Sequence, residues 1–146
     1  MTFVFKRQLT IEWGHCDPAG FVFHSRFFEY FDWSTGLLFE AALGMTKSEM
    51  QTTYDADMPL VDVRGRFLRR AKSEDVAEIA SYVSQFRRSS FEVQHRLSID
   101  GELTVEGQET RVWVGSDPAD PAKIRAKPIP AEVIQRFSGP GSSRNS

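Results

Sequence analysis

His24-Ser25-Arg26-Phe27-Phe28-Glu29-Tyr30-Phe31-Asp32-Trp33-Ser34-Thr35-Gly36-Leu37-Leu38-Phe39-Glu40-Ala41-Ala42-Leu43 has apolar side chains at helical spacing. Phe27, Phe28, Phe31, Leu38, Ala41 and Ala42 form one stripe, and Trp33, Leu37 and Phe39 widen it. The spacing predicts a long helix over 24–43 that is apolar around most of its circumference. Gly44 stands where such a helix ends, and Gly36 is a weak point inside it. A helix of this kind buries its surface when a sheet curls around it, which predicts an α+β architecture with an antiparallel sheet wrapped around one long central helix.

The flanking sequence supplies that sheet. Residues 3–13 alternate apolar and polar through Phe3, Phe5, Leu9, Ile11 and Trp13, and Gly14 to Gly20 then break the pattern as a loop. Thr46-x-x-Glu49 has the form of a capping box for a short second helix. After Pro59, strands are expected at 60–68, 76–86, 91–99 and 103–114, with Asp100-Gly101 as a tight turn and a short helix over 130–137. Residues 1–137 read as a single domain. Residues 138–146, small and polar, read as a flexible C-terminal tail. A lone unit of this kind leaves sheet edges open, so a homodimer or a dimer of dimers, a homotetramer, is expected.

Composition removes several function classes. The 146 residues carry 18 Lys and Arg against 20 Asp and Glu, a net charge of -2, which does not favour nucleic acid as a partner. No apolar run approaches the roughly 20 residues of a spanning helix, so no membrane insertion is expected. Met1 to Arg7 lack the features of a secretory leader, and a cytoplasmic location is expected. Cys16 is the single cysteine, which leaves no internal disulfide and no cysteine set for a metal; none is expected.

The chemistry concentrates in Gly14-His15-Cys16-Asp17-Pro18-Ala19-Gly20-Phe21-Val22-Phe23-His24, a loop between a strand and the start of the long helix. The first N–H groups of a helix have no internal partner and lie at the positive end of its dipole, so they can stabilise a developing oxyanion. Asp17 supplies a base or nucleophile beside that end. Asp before Pro-Ala-Gly is also ordinary turn chemistry. Cys16 reads as a packing residue rather than the partner of His15 in a nucleophilic pair. Asp32, one position after Phe31, belongs with Glu29 and Glu40 on a solvated stripe, or meets a polar group of an aromatic ligand.

Asp17-Pro18-Ala19-Gly20-x-Val22-x-His24-x-x-Phe27 closely resembles the active-site segment of hotdog-fold acyl-CoA thioesterases, in particular the 4-hydroxybenzoyl-CoA thioesterase family and its short-acyl relatives. The likeness runs to about Phe137. It implies a hotdog fold, Asp17 as the catalytic carboxylate and the main chain of His24 as the group that polarises the thioester carbonyl. His24 departs from the tyrosine of the hydroxybenzoyl type and matches the histidine of the short-acyl type. Phe86-Arg87-Arg88-Ser89-Ser90-Phe91 resembles the family's Arg-Arg-x-Ser element, which implies coenzyme A binding by Arg87, Arg88 and Ser90. The function implied is hydrolysis of an aroyl-CoA or short acyl-CoA ester, with coenzyme A as part of the substrate and no separate cofactor. A thiolate leaves without much need of protonation, so one carboxylate suffices, acting on the carbonyl carbon or on a water. A hydratase or dehydratase of the same fold, or a noncatalytic acyl-CoA binding module, would use the same surface.

Overall fold

The long helix forms where the aromatic stripe places it. A computed structural model describes residues 2–139 and, as backbone, 142–145. In it α1 spans His24–Leu43 and ends at Gly44 in the left-handed region, φ 67°, with the Gly44 N–H donating to the Glu40 carbonyl at 2.9 Å. Glycine takes that conformation without a Cβ penalty. α2, Lys47–Tyr54, opens on Thr46, whose hydroxyl accepts the Glu49 N–H at 3.1 Å as the spacing requires.

β1 (Phe5–Thr10), β2 (Leu60–Phe67), β3 (Val76–Phe86), β4 (Ser90–Ile99) and β5 (Glu102–Val112) form an antiparallel sheet in the order β2-β5-β4-β3-β1. Asp100 and Gly101, at φ 52° and 77°, close the β4–β5 turn. α1 lies across one face of this sheet and buries Phe27, Phe31, Leu38 and Phe39 against it. The wrapped-helix α+β architecture is therefore present.

Two stretches depart from expectation. The first strand is shorter than 3–13, because Trp13–His15 tightens into a 3-10 turn. The strand expected over 103–114 breaks at the fully buried Trp113, whose N–H bonds to the Ser89 carbonyl at 2.7 Å and turns the chain. Beyond it β6 (Val114–Asp117) and β7 (Asp120–Ala126) form a hairpin, with the Asp117 and Asp120 carboxylates accepting the N–H groups of Ala119 and Ala122. The chain continues past α3 (Ala131–Arg136) into the tail expected over 138–146, of which residues 140, 141 and 146 lie outside the described residues. Its backbone at Ser142–Asn145 forms β8, parallel to the edge of β1, since an open edge bonds to backbone whatever the side chains are.

The core is two apolar clusters with a polar seam between them. One joins Leu38, Phe39 and Ala42 to Phe91, Val93, Trp113, Val133 and Phe137; the other joins Phe27 and Phe31 to Ile11, Ile79, Leu97 and Val105. Between them lie Arg7, Ser34, Thr35, Ser81, His95, Glu109 and Arg111, all buried. Buried polar groups persist when they satisfy one another. His95 Nδ1 lies 2.7 Å from Ser81 Oγ, and its Nε2 lies 3.2 Å from Glu109 Oε1. Thr35 bonds the same carboxylate, and Arg111 clamps it from the other side at 2.9 Å.

Candidate active site

The Asp17 loop is a miniature hairpin fixed at every turn. Cys16 pairs with Val22 and Phe21 with Lys72 as isolated bridges, and the Val22 N–H donates to the Ala71 carbonyl at 2.8 Å. Inside the loop the Asp17 N–H reaches the Phe21 carbonyl at 2.8 Å, and the Gly20 N–H reaches the Asp17 carbonyl at 2.9 Å. Gly20 sits at φ 88°, which explains its place at the tip. The Ala19 N–H donates to Asp17 Oδ1 at 2.9 Å, so the ordinary turn role of this aspartate is real. It also orients the carboxylate. Among the described residues Oδ2 has no hydrogen-bond partner and is left for chemistry.

The loop places Asp17 beside the start of α1. Phe23 occupies the cap position and has no side-chain acceptor, so among the described residues no capping side chain satisfies the first N–H groups of the helix. The Arg26 N–H turns back to the Phe23 carbonyl at 2.9 Å. An uncapped helix N-terminus keeps the positive end of its dipole available. A cavity of about 410 Å³ opens on it, with Asp17, Phe21, Phe23, His24, Phe27 and Phe67 in its wall. Asp17 and His24 are therefore brought together. The arrangement offers a carboxylate, backbone donors and an aromatic lining in one enclosure, suited to attack on a carbonyl carbon with the developing oxyanion at the helix end.

Arg87, Arg88 and Ser90 are elsewhere. They form the β3–β4 turn, with the Arg87 N–H on the Ser90 carbonyl at 2.8 Å and the Ile129 N–H on the Arg88 carbonyl at 2.8 Å. The loop of Asp17 docks at residues 71–72, just before β3 begins, so the whole strand separates the two places. At roughly 3.3 Å per residue, its 11 residues set them about 35 Å apart within one chain. The Arg87 guanidinium is also engaged by Gln85 and Glu92, at 3.2 and 3.4 Å.

The other sequence candidates resolve as follows. His15 does not activate Cys16; its Nδ1 faces Tyr30 Oη at 2.9 Å, and the Cys16 thiol points to the Glu12 carbonyl at 3.7 Å. Asp32 is solvent-exposed yet not simply part of a solvated stripe, since it pairs with Arg111 at 2.6 Å beside a small hollow lined by Thr35, Gly36 and Met58.

The family model of the thioesterase-like superfamily matches residues 11–137, which takes in the loop, the helix and the sheet. The chain belongs to the thioesterase-like superfamily. The three-dimensional structure of 4-hydroxybenzoyl-CoA thioesterase from Pseudomonas sp. strain CBS-3 superposes with a TM-score of 0.83 at 25% identity, covering 92% of this chain and 99% of that one. The fold is the hotdog fold. By sequence, the 4-hydroxybenzoyl-CoA thioesterase of Pseudomonas sp. (strain CBS-3) is 28% identical over 137 residues, 90% of this chain and 95% of its own length. A gentisyl-coenzyme A thioesterase shares the fold at a TM-score of 0.76 and 24% identity, over 88% of this chain and 98% of its own.

Two placements in this thioesterase-like chain go beyond the sequence reading. Arg69 and Arg70 stand in the wall of the Asp17 cavity, whereas the sequence offers the basic run Arg64, Arg66, Arg69, Arg70 and Lys72 as a whole to assist coenzyme binding, with no sign of which members face the site. Tyr30 ties α1 to the loop. Burial pushes its hydroxyl up to about 12, so it remains protonated at neutral pH. Among the described residues, no helix is long and apolar enough to cross a membrane.

Proposed function

We propose that this protein hydrolyses acyl-CoA thioesters to the free acid and coenzyme A, with an aroyl group such as 4-hydroxybenzoyl preferred over a short aliphatic one. The observation that carries the reading is that the Asp17 carboxylate and the uncapped N-terminus of α1 line one cavity. In the proposed reaction the carbonyl oxygen takes hydrogen bonds from the first N–H groups of α1, that of His24 foremost. Asp17 supplies the oxygen that attacks the carbonyl carbon or takes the proton of an attacking water. The thiolate of coenzyme A then departs; the water route gives the free acid directly, and the attack route leaves an Asp17 anhydride that a water hydrolyses to the free acid, restoring the carboxylate. The rings of Phe21, Phe23, Phe27 and Phe67 favour an aromatic acyl group, which gains edge and face contacts that a short alkyl chain cannot make.

The same reading includes a homodimer. β2 is an edge strand with Leu60 and Val61 exposed, and pairing two such edges would continue the sheet and cover them. Arg87, Arg88 and Ser90 then contribute to coenzyme A binding only where another copy brings its β3–β4 turn to the Asp17 cavity, since one chain holds them too far apart.

Release of free thiol from benzoyl-CoA, 4-hydroxybenzoyl-CoA and acetyl-CoA tests the assignment, with crotonyl-CoA as an enoyl substrate beside them. Faster thiol release from the aroyl esters is expected. Hydration of the enoyl ester without thiol release would point to a hydratase, and tight binding without turnover to a binding module.

A further inference from the structure

Among the described residues Asp17 is the single acidic one in the wall of its cavity, which it shares with three sources of positive charge: Arg69, Arg70 and the N-terminus of α1. The two arginines differ in how they are held. The Arg70 guanidinium lies over the ring of Phe21, 4.8 Å from its centroid, and among the described residues no carboxylate pairs with it. A guanidinium held over an aromatic ring by its π face still has N–H donors to offer a planar or tetrahedral oxyanion. Arg69 reaches Glu102 at 3.2 Å, but both side chains are more than half exposed, and an ion pair of that kind holds weakly. It can be exchanged for a ligand at little cost.

The loop explains why the pair sits here. Phe21 bridges to Lys72, and Val22 is bonded to Ala71, so residues 69–71 are laid along the same wall as Asp17. The contrast with the β3–β4 turn is direct. There Arg87 already has Gln85 and Glu92 as partners, whereas Arg70 has an aromatic platform and, among the described residues, no carboxylate partner.

We propose that Arg70, with Arg69 beside it, binds an anionic group of the thioester that occupies the Asp17 cavity, within the same chain. The inference rests on the thioester reading of that cavity. The anion is a phosphate of the coenzyme or a carboxylate carried by the acyl group, which present the same oxygen edge to the guanidinium.

The test is the double variant Arg69→Ala/Arg70→Ala against wild type, using benzoyl-CoA, benzoyl-pantetheine and carboxybenzoyl-pantetheine, with the affinity for desulfo-CoA measured calorimetrically in parallel. A KM raised about tenfold for benzoyl-CoA, a ratio that falls toward one for benzoyl-pantetheine, and weakened desulfo-CoA binding identify the phosphate as the anion. A KM raised about tenfold only for carboxybenzoyl-pantetheine identifies the acyl carboxylate. Phe21→Leu, which removes the platform and leaves both charges, is expected to weaken the same arm by a smaller factor. Equal KM values for wild type and variant with all three esters overturn the proposal. Where no ester is cleaved the hydrolase reading fails separately, and equal calorimetric affinities of the two proteins for both desulfo-CoA and carboxybenzoyl-pantetheine then overturn the anion site as well.

Discussion

Tyr30 Oη lies 2.9 Å from His15 Nδ1, and this hydrogen bond ties the second turn of α1 to the residue two places before Asp17. The His15 carbonyl accepts the Phe23 N–H at 3.0 Å, so His15 holds both the loop and the start of the helix. Tyr30→Phe removes the hydroxyl and keeps the ring. It is expected to cost about 1 kcal/mol of stability. In thiol-release assays it should lower kcat several-fold with little change in KM, because it loosens the carboxylate and leaves the cavity walls in place.

A second outcome concerns acid. Burial holds the His95 pKa below its ordinary 6.5, against the pull of Glu109, so the imidazole is neutral and its contact with Glu109 is a hydrogen bond rather than an ion pair. Burial alone would raise Glu109, but hydrogen bonds from His95 and Arg111 overcome it and bring its pKa from 4.5 down to about 2. In both cases the unfolded chain takes up a proton before the folded chain does. Stability therefore falls as pH drops below 6.5, from His95, and falls further between 4.5 and about 2, from Glu109. The melting temperature followed by calorimetry should decline across both windows. His95→Gln should flatten the upper one and narrow the lower, because the His95 hydrogen bond is one of those that hold Glu109 down. A melting temperature that rises on acidification would contradict this account of the seam.

The wrapped helix was legible because its signal is periodic and long. The Phe27–Phe31–Leu38 stripe and the alternation along 76–86 and 91–99 each repeat often enough to outweigh local noise. Asp17 and the helix start were legible for another reason: they are neighbours in sequence, so no tertiary contact had to be guessed. The polar seam left a trace in Phe91-x-Val93-x-His95-x-Leu97 and Val105-x-Gly107-x-Glu109-x-Arg111, where polar residues fall on inward positions. Their partnership depends on register, which places His95 opposite Gly107 and is not written in either strand alone. Arg70 was hidden among Arg64, Arg66 and Arg69, because only the non-local Phe21–Lys72 bridge decides which end of that run meets the Asp17 loop. β8 carries no apolar pattern at all. It is held by backbone pairing to β1.

Gly107 lies under Phe31, whose ring stacks on His95 with centroids 4.8 Å apart. A Cβ at position 107 would fall inside the van der Waals envelope of that ring. The ring is fully buried and has no free side toward which to move. Gly107→Ala is expected to destabilise the protein by about 1–3 kcal/mol, read as a shift in urea midpoint. An unchanged midpoint would mean that Phe31 has room the packing does not provide.

The edge of β2 offers a test of assembly. Val61 is 59% exposed beside Leu60, and a lysine there would blunt an apolar edge in the way natural edge strands do. Light scattering should give a mass at least twice 16.6 kDa for the wild type and 16.6 kDa for Val61→Lys. A monomeric wild type would remove the edge-paired dimer from the proposed function.

The central claim is that the Asp17 carboxylate, set against the N-terminus of α1, cleaves the thioester, and the initial rate of coenzyme A release by Asp17→Asn tests it most directly. The amide keeps the Ala19 contact and the size of the side chain but neither attacks a carbonyl nor accepts a proton from water. Thiol release from the best aroyl-CoA ester should fall by about 10²–10⁴-fold while the ester still binds. Release at the wild-type rate would contradict the account.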